Sequence, residues 1–293
     1  MRITGAAVAI AAALSAAACN QVFGLADTLA VDAAGDGPPI DASIDDDQDG
    51  VPNADDVCPS VADPAQHDED GDQIGDACDS CPLDPSTAAD DAELDGIPDA
   101  CDPRPASPDC LVLFDSFSSY LAQDWERVAG SQVAQLPDAL RLTTPNPRTG
   151  IHPTGMVGPH SMRARFRDPT LGTTDQLRLL GSSQVNNSDI GHGCWLTQTK
   201  LYLVDVIVGP PPELAVSPAI ATGDSLLITL AHDASEFGCT VARGTETYAQ
   251  SKPVGQAPGG DATMIVIVGG DITLTAVAFY AAKSGLCPVP VIR

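Results

Sequence analysis

Residues 45–59 read DDDQDGVPNADDVCP, residues 66–79 read QHDEDGDQIGDACD, and residues 91–102 read DAELDGIPDACD. One spacing runs through all three. Counted from the first acid of each loop, positions 1, 3, 5, 9 and 12 are Asp45, Asp47, Asp49, Asn53 and Asp56 in the first. They are Asp68, Asp70, Asp72, Asp76 and Asp79 in the second, and Asp91, Glu93, Asp95, Asp99 and Asp102 in the third. Position 7 is Val51, Ile74 or Ile97, and it offers a backbone carbonyl. This is the ligand spacing of a calcium loop, in which alternate residues of a tight turn bring oxygens to one hard ion. Asp suits positions 1, 3 and 5 because its short side chain reaches an ion close to the backbone. A randomly acidic, solvated tract has no reason to repeat the spacing three times with Cys, Gly and Pro in step.

The charge is concentrated in the same place. Of the formal −26, residues 41–109 carry −21, from 20 Asp and 2 Glu against the single basic Arg104. An excess this local argues against nucleic acid and against an anionic membrane surface as partners, and for bound cations. Large apolar side chains between Asp41 and Asp109 are few: Ile44, Val51, Val57, Val61, Ile74, Leu83, Leu94 and Ile97. They cannot offset the entropy of ordering such a segment. The expectation is an expanded chain without metal and a compact one with it.

The first residues read as a sorting signal, 1–18. Arg2 is a positive start, and Ile3 to Ala17 form an apolar run too short to span a bilayer. Ala16-Ala17-Ala18 suits cleavage after Ala18, which would give a secreted or periplasmic chain. The Cys at that boundary, Cys19, resembles the lipobox of bacterial lipoproteins, and CNQVFGL resembles their mature start. The departure is Ala16, where that family favours Leu. The resemblance implies lipidation of Cys19, and Asn20 in place of Asp implies the outer membrane or cell surface. Residues 19–44 are rich in Ala, Asp, Gly and Pro and read as a disordered linker.

Nine cysteines are an odd number for an exported chain, and lipidation of Cys19 leaves eight. An oxidising compartment favours disulfides. Cys58 to Cys78 and Cys81 to Cys101 share one separation, 20 residues, which favours those two pairs. Each would contribute about 3 kcal/mol by constraining the unfolded chain. Cys110 and Cys287 flank the remainder and could clasp its ends, leaving Cys194 with Cys239. Spacing alone leaves the connectivity open, since eight cysteines admit about 105 pairings.

Residues 45–109 resemble thrombospondin type 3 repeats. The acids and glycines, Cys58-Pro59, Asp63-Pro64, Gln66, Asp76-Ala77-Cys78-Asp79 and Cys81-Pro82 fall where that pattern has them. The resemblance implies irregular chain wrapped around calcium and pinned by disulfides. Two departures stand out. Position 6, the sharp turn, is Gly50 and Gly96 in two loops but Gln73 in the second. A non-Gly residue there requires an unfavourable positive φ. The third loop has Glu93 at position 3, a longer arm than Asp. No amphipathic helices flank the loops, and position 12 is Asp throughout, so an EF-hand is not expected.

Residues 110–293 are sparse in charge, with short apolar runs between Gly, Pro, Asn and Asp. CLVLFDSF, ALRLTT, SMRARFR, QLRLLGSS, GCWLTQT, LYLVDVIVG, SLLITLAHD, GCTVARG, TMIVIVGG and ITLTAVAFYAA read as strands. About ten strands in such a length suit a two-sheet sandwich, and the chain is mainly β. The opening LFDSFSSYLAQDWERV and closing LTAVAFYAA resemble the concanavalin A-like jelly roll of laminin-G and lectin-type domains. That resemblance implies that the first and last strands pair.

No catalytic constellation emerges. Glycoside hydrolysis needs two carboxylates across a sugar, and hydrolases of that fold carry E-x-D-x-x-E on one strand. Glu126, Glu213, Glu236 and Glu246 have no such spacing. His152, His160, His192 and His232 accompany many serines without a G-x-S-x-G elbow. The residues Arg163, Arg165 and Arg167 alternate with Met162, Ala164 and Phe166, so the guanidinium groups share one sheet face. That face reads as solvated, salted by the acidic repeats, in preference to an anionic-glycan or lipid site. The expectation is an exported, membrane-anchored calcium-binding protein and not an enzyme. A calcium-stiffened stalk would present a sandwich that binds a glycan or a cell-surface protein. The alternative is an extracellular polysaccharide-acting enzyme with an unrecognised site.

Overall fold

The computed structural model describes residues 44–85, 90–118, 124–128, 130–144, 148–156, 160–184, 187–205, 220–232, 236–253 and 262–293. The expected sorting signal, Cys19 and the linker up to Ser43 lie outside the described residues, as does Glu213. The described residues contain strands and irregular chain and no helix.

The strands are β1 (Asp109–Asp115), β2 (Trp125–Arg127), β3 (Gln132–Leu136), β4 (Ala139–Thr143), β5 (Thr149–Pro153), β6 (Ser161–Thr170), β7 (Gln176–Gln184) and β8 (Asn187–Leu196). They continue as β9 (Leu201–Asp205), β10 (Ser225–His232), β11 (Glu236–Arg243), β12 (Glu246–Pro253), β13 (Ala262–Val268), β14 (Asp271–Ala282) and β15 (Val291–Ile292). All ten expected strands are present. The first sheet runs β12-β11-β10-β6-β14-β1-β15, with β4 also on β14 and β3 on β4. The second runs β2-β5-β13-β7-β8-β9. The first and last long strands pair as expected, with Cys110 opposite Ala281 and Asp115 opposite Val277.

Period-two patterning decides which face is which. On β6, Met162, Ala164 and Phe166 point between the sheets, where they meet Leu226, Ile228 and Leu230 of β10 and Leu274, Val277 and Phe279 of β14. Four disulfides close the molecule: Cys58–Cys78, Cys81–Cys101, Cys110–Cys287 and Cys194–Cys239. The first two are the pairs favoured by equal spacing, the third is the clasp of the domain's ends, and the fourth joins the two cysteines that remain. The last joins β8 of one sheet to β11 of the other through the core, with Cα atoms 5.8 Å apart.

The outer face of the first sheet is covered by the acidic repeats. Cys81, Leu83, Ile97 and Cys101 pack on Phe114, Ala276, Ala278 and Tyr280, with Leu111, Leu227 and Ile292 at the margin. This departs from the expected stalk. The few apolar residues of the repeats cannot make a core among themselves, so they complete one with the sheet. It also departs from the expected solvated arginine face, because Arg163 is only 5% exposed.

The packing sets a contrast for mutation. Leu83→Ala, at a side chain 1% exposed, is expected to lower unfolding stability by about 2–4 kcal/mol. Leu94→Ala, at 82% exposure, should change it by less than about 0.5 kcal/mol. Denaturant midpoints in calcium measure both, and equal effects would contradict the docking.

Candidate metal centres

Each loop is shaped by hydrogen bonds from its own backbone to its first, fifth and ninth positions. In the first, Gln48 and Gly50 donate to Asp45 Oδ1 and Oδ2 at 2.7 and 3.0 Å, and Val51 donates to Asp49 Oδ1 at 2.8 Å. In the second, Gly71 and Gln73 donate to Asp68 at 2.7 and 3.0 Å, and Ile74 donates to Asp72 at 2.9 Å. In the third, Asp95 and Gly96 donate to Asp91 at 3.1 and 2.9 Å, and Ile97 donates to Asp95 at 2.8 Å. Position 9 closes the ring. Asn53, Asp76 and Asp99 accept from the position-2 amides of Asp46, Glu69 and Ala92 at 2.9, 3.0 and 3.0 Å. Asn53 also donates through Nδ2 to Asp46 Oδ2 at 2.8 Å, so both its polar atoms serve loop closure.

These turns require left-handed backbone at two positions. Position 6 has φ of 99° at Gly50, 77° at Gln73 and 96° at Gly96. Position 4 has φ of 65° at Gln48, 80° at Gly71 and 55° at Leu94. The strain anticipated at Gln73 is present, and Gln48 and Leu94 share it at a position the sequence reading did not single out.

The loops leave carboxylate oxygens converging without partners. Asp45, Asp47 and Asp49 bring oxygens within 4.8 Å of one another, as do Asp68, Asp70 and Asp72, and Asp91, Glu93 and Asp99. Nine buried carboxylate oxygens in the loops have no hydrogen-bond partner: Oδ2 of Asp47, Asp56, Asp70, Asp72, Asp76, Asp79 and Asp102, and both oxygens of Glu93. They occupy positions 3, 5, 9 and 12. Asp76, Asp79 and Asp102 are 3%, 9% and 8% exposed. Burial pushes the Asp76 carboxyl up to about 6, with Asp68 and Asp70 adding repulsion. It pushes Asp79 to about 7, beside Asp70, Asp72 and Asp76, and Asp102 to about 6, beside Asp95 and Glu93. Desolvation also raises Asp47 and Asp70. The donor set is all hard oxygen and all anionic, which fits calcium and no soft metal.

The first loop is braced from behind by Gln66. Its Nε2 donates to Asp56 Oδ1 at 2.8 Å and its Oε1 accepts from Val57 at 2.9 Å. The third loop is braced by the sandwich: the amide of Asp109, the first residue of β1, donates to Asp95 Oδ2. Asp109 is fully buried and holds Arg104.

Elsewhere, the Nδ1 of His192 lies 3.2 Å from Nε2 of His232, the rings stacked with centroids 5.4 Å apart. Sequence carried no hint of this, because β8 and β10 belong to different sheets. His152 Nε2 stands 3.7 Å from Glu126 Oε2 across β5 and β2. On the outer face of the second sheet, Trp195 sits opposite Tyr202, and the Arg178 guanidinium lies 3.8 Å over the Trp195 ring.

No family model matches the chain, and no curated protein matches its sequence. Solved structures are similar in fold. A Bacillus licheniformis β-glucanase matches at 10% identity with a TM-score of 0.41, over 57% of this chain and 96% of that one. Peanut lectin matches at 12% identity and 0.41, over 61% and 99%. Winged bean acidic lectin, complexed with methyl-α-D-galactose, matches at 9% and 0.44, over 56% and 94%. The two-sheet arrangement rests on the strand pairing itself.

Two outcomes follow from the loop geometry. Gln73→Gly relieves a left-handed side chain and should tighten ion binding at the second loop severalfold, from about 1 kcal/mol of strain removed, as read by calorimetry. The second concerns pH. In the folded loops burial raises the Asp76, Asp79 and Asp102 carboxyls to about 6 to 7, so protons compete with a cation there and calcium affinity should fall as pH is lowered from about 7.5 to about 5, as read by calorimetry.

Proposed function

We propose that this chain is an exported calcium-binding protein whose three loops hold calcium as structural ions. The observation that carries this reading is the set of buried, unpartnered carboxylate oxygens at matching positions of three loops of like geometry. An anion taken out of water without a partner is strongly unfavourable. In these loops Asp45, Asp47, Asp49, Asp56 and the Val51 carbonyl would hold the first ion. Asp68, Asp70, Asp72, Asp79 and the Ile74 carbonyl would hold the second, with Asp76 beside them. Asp91, Glu93, Asp95, Asp99, Asp102 and the Ile97 carbonyl would hold the third. Asn53 clasps the first loop. The spacing, the 20-residue disulfide loops and the Gln66 brace support kinship with thrombospondin type 3 repeats.

The sandwich is read as a recognition module with no catalytic role. A glycan is the ligand class we favour, with Trp195 and Tyr202 side by side and partly exposed on the outer face of the second sheet. Four disulfides support an oxidising destination. We place the mature chain at the outer membrane or cell surface through lipidated Cys19; mass spectrometry of the mature N-terminus would show a diacylglyceryl-modified Cys, and an unmodified Cys19 would contradict the anchor.

The test of calcium binding is calorimetry on the full chain after removal of metal. Uptake of about one ion per loop is expected, with micromolar or tighter affinity. Asp47→Asn with Asp49→Asn should abolish one site, whereas Asp41→Asn should abolish none. A chain that takes up no calcium would overturn the reading.

A further inference from the structure

Of the alternating arginines of β6, Arg163 and Arg165 contact the repeats, whereas Arg167 is exposed. Arg165 donates through Nη1 to the Glu69 carbonyl at 3.0 Å and through Nη2 to the Leu83 carbonyl at 2.5 Å. Glu69 is position 2 of the second loop, between Asp68 and Asp70, and its amide holds Asp76. Its own carboxylate lies 3.7 Å from Arg165. Arg163 donates through Nη1 to the Cys101 carbonyl at 3.1 Å and through Nη2 to Asp84 Oδ2 at 3.0 Å. Cys101 immediately precedes Asp102, position 12 of the third loop, and Asp84 lies in the segment that joins the second loop to the third. The planar guanidinium fork holds two acceptors at fixed separation, which a lysine cannot do.

We propose that Arg163 and Arg165 are positioning residues for the second and third calcium loops, so that the sandwich completes those two sites while the first loop binds on its own. The proposal rests on the calcium reading above. Each guanidinium fixes a peptide unit next to ion ligands, and the Asp109 amide fixes Asp95. Among the described residues, the hydrogen bonds and ion pairs between repeats and sandwich come from the second loop, the third loop, the segment joining them and Arg104–Pro108. Those of the first loop stay within the repeats, to Asp63, Gln66 and Cys58. A guanidinium beside a cation site also repels the ion. Within a segment carrying −21 two positive charges leave the loops strongly anionic, and the gain in order prevails. By linkage, calcium in the second and third loops must then stabilise the sandwich by the same coupling free energy.

The test titrates calcium into full-length variants. In a background of Asp47→Asn with Asp49→Asn, which silences the first loop, Arg165→Gln should weaken the remaining sites by about 10- to 100-fold, the usual effect of losing a group that orients metal ligands. In a background of Asp70→Asn with Asp95→Asn, the first loop's affinity should be unchanged by Arg165→Gln. Arg165→Lys should recover only part of the loss; full recovery would show that charge alone acts and would overturn the positioning role. The second readout does not depend on the arginine variants folding. Both tryptophans lie in the sandwich, so thermal unfolding followed by their fluorescence reports that part alone. Asp70→Asn with Asp72→Asn should remove much of the calcium-induced rise in its midpoint, and Asp47→Asn with Asp49→Asn little of it. Equal effects overturn the coupling. Calcium uptake with all three sites indifferent to Arg165→Gln removes the coupling alone, whereas a native chain that takes up no calcium removes the function beneath it.

Discussion

Like charges crowded into three small loops set the terms for the acidic repeats. Carboxylate oxygens stand within 4.8 Å of one another in each loop. At an effective dielectric of about 20, two unit charges at that separation repel by about 3.5 kcal/mol or more, and three acids give three pairs. Burying Leu83 and Ile97 contributes only about 1.5–3 kcal/mol each, so apolar docking alone does not balance the repulsion. On the calcium reading, cations stand among the acids. The chain supplies some positive charge itself: Arg163, Arg165 and Arg104 meet Asp84, Glu69 and Asp109. The oxygens left over lie at positions 3, 5, 9 and 12, where a divalent ion would meet several at once.

The sandwich answers a second difficulty. Irregular chain with few large apolar residues has no interior of its own, and disulfides constrain it without giving it one. The sheet of β6, β14 and β1 offers Phe114, Ala276, Ala278 and Tyr280 on the face away from its own core. Small alanines on β14 let the Cys81–Cys101 disulfide and Leu83 approach closely. Tyr280 is fully enclosed there, and burial pushes its hydroxyl up to about 12. The repeats are therefore a cap on the sandwich and not a free stalk.

Much of this was legible in the chain. Ligand spacing located the three loops, and equal cysteine separations matched the two disulfides within the repeats. Apolar runs such as LLITLAH marked the ten strands whose alternate residues meet the core. The five missed strands lacked that signal: β12 is polar on both faces, β5 is broken by Gly150 and Pro153, and β2, β3 and β15 are short or weakly apolar. The arginine ladder was read on the right face but given to solvent, because nothing in a linear pattern tells which distant segment will cover a sheet. The same limit hid the Asp95–Asp109 contact and the His192–His232 pair.

Hydrogen exchange followed by mass spectrometry, on the full chain in calcium and in chelator, tests the central claim most directly. Compensation by divalent ions requires that amides of residues 44–102, including those of Val51, Ile74 and Ile97, be protected in calcium and exchange rapidly in chelator, while the centre of β14 stays protected in both. Identical protection of the loops with and without calcium would mean that the acids are balanced by the chain itself, and would contradict the account.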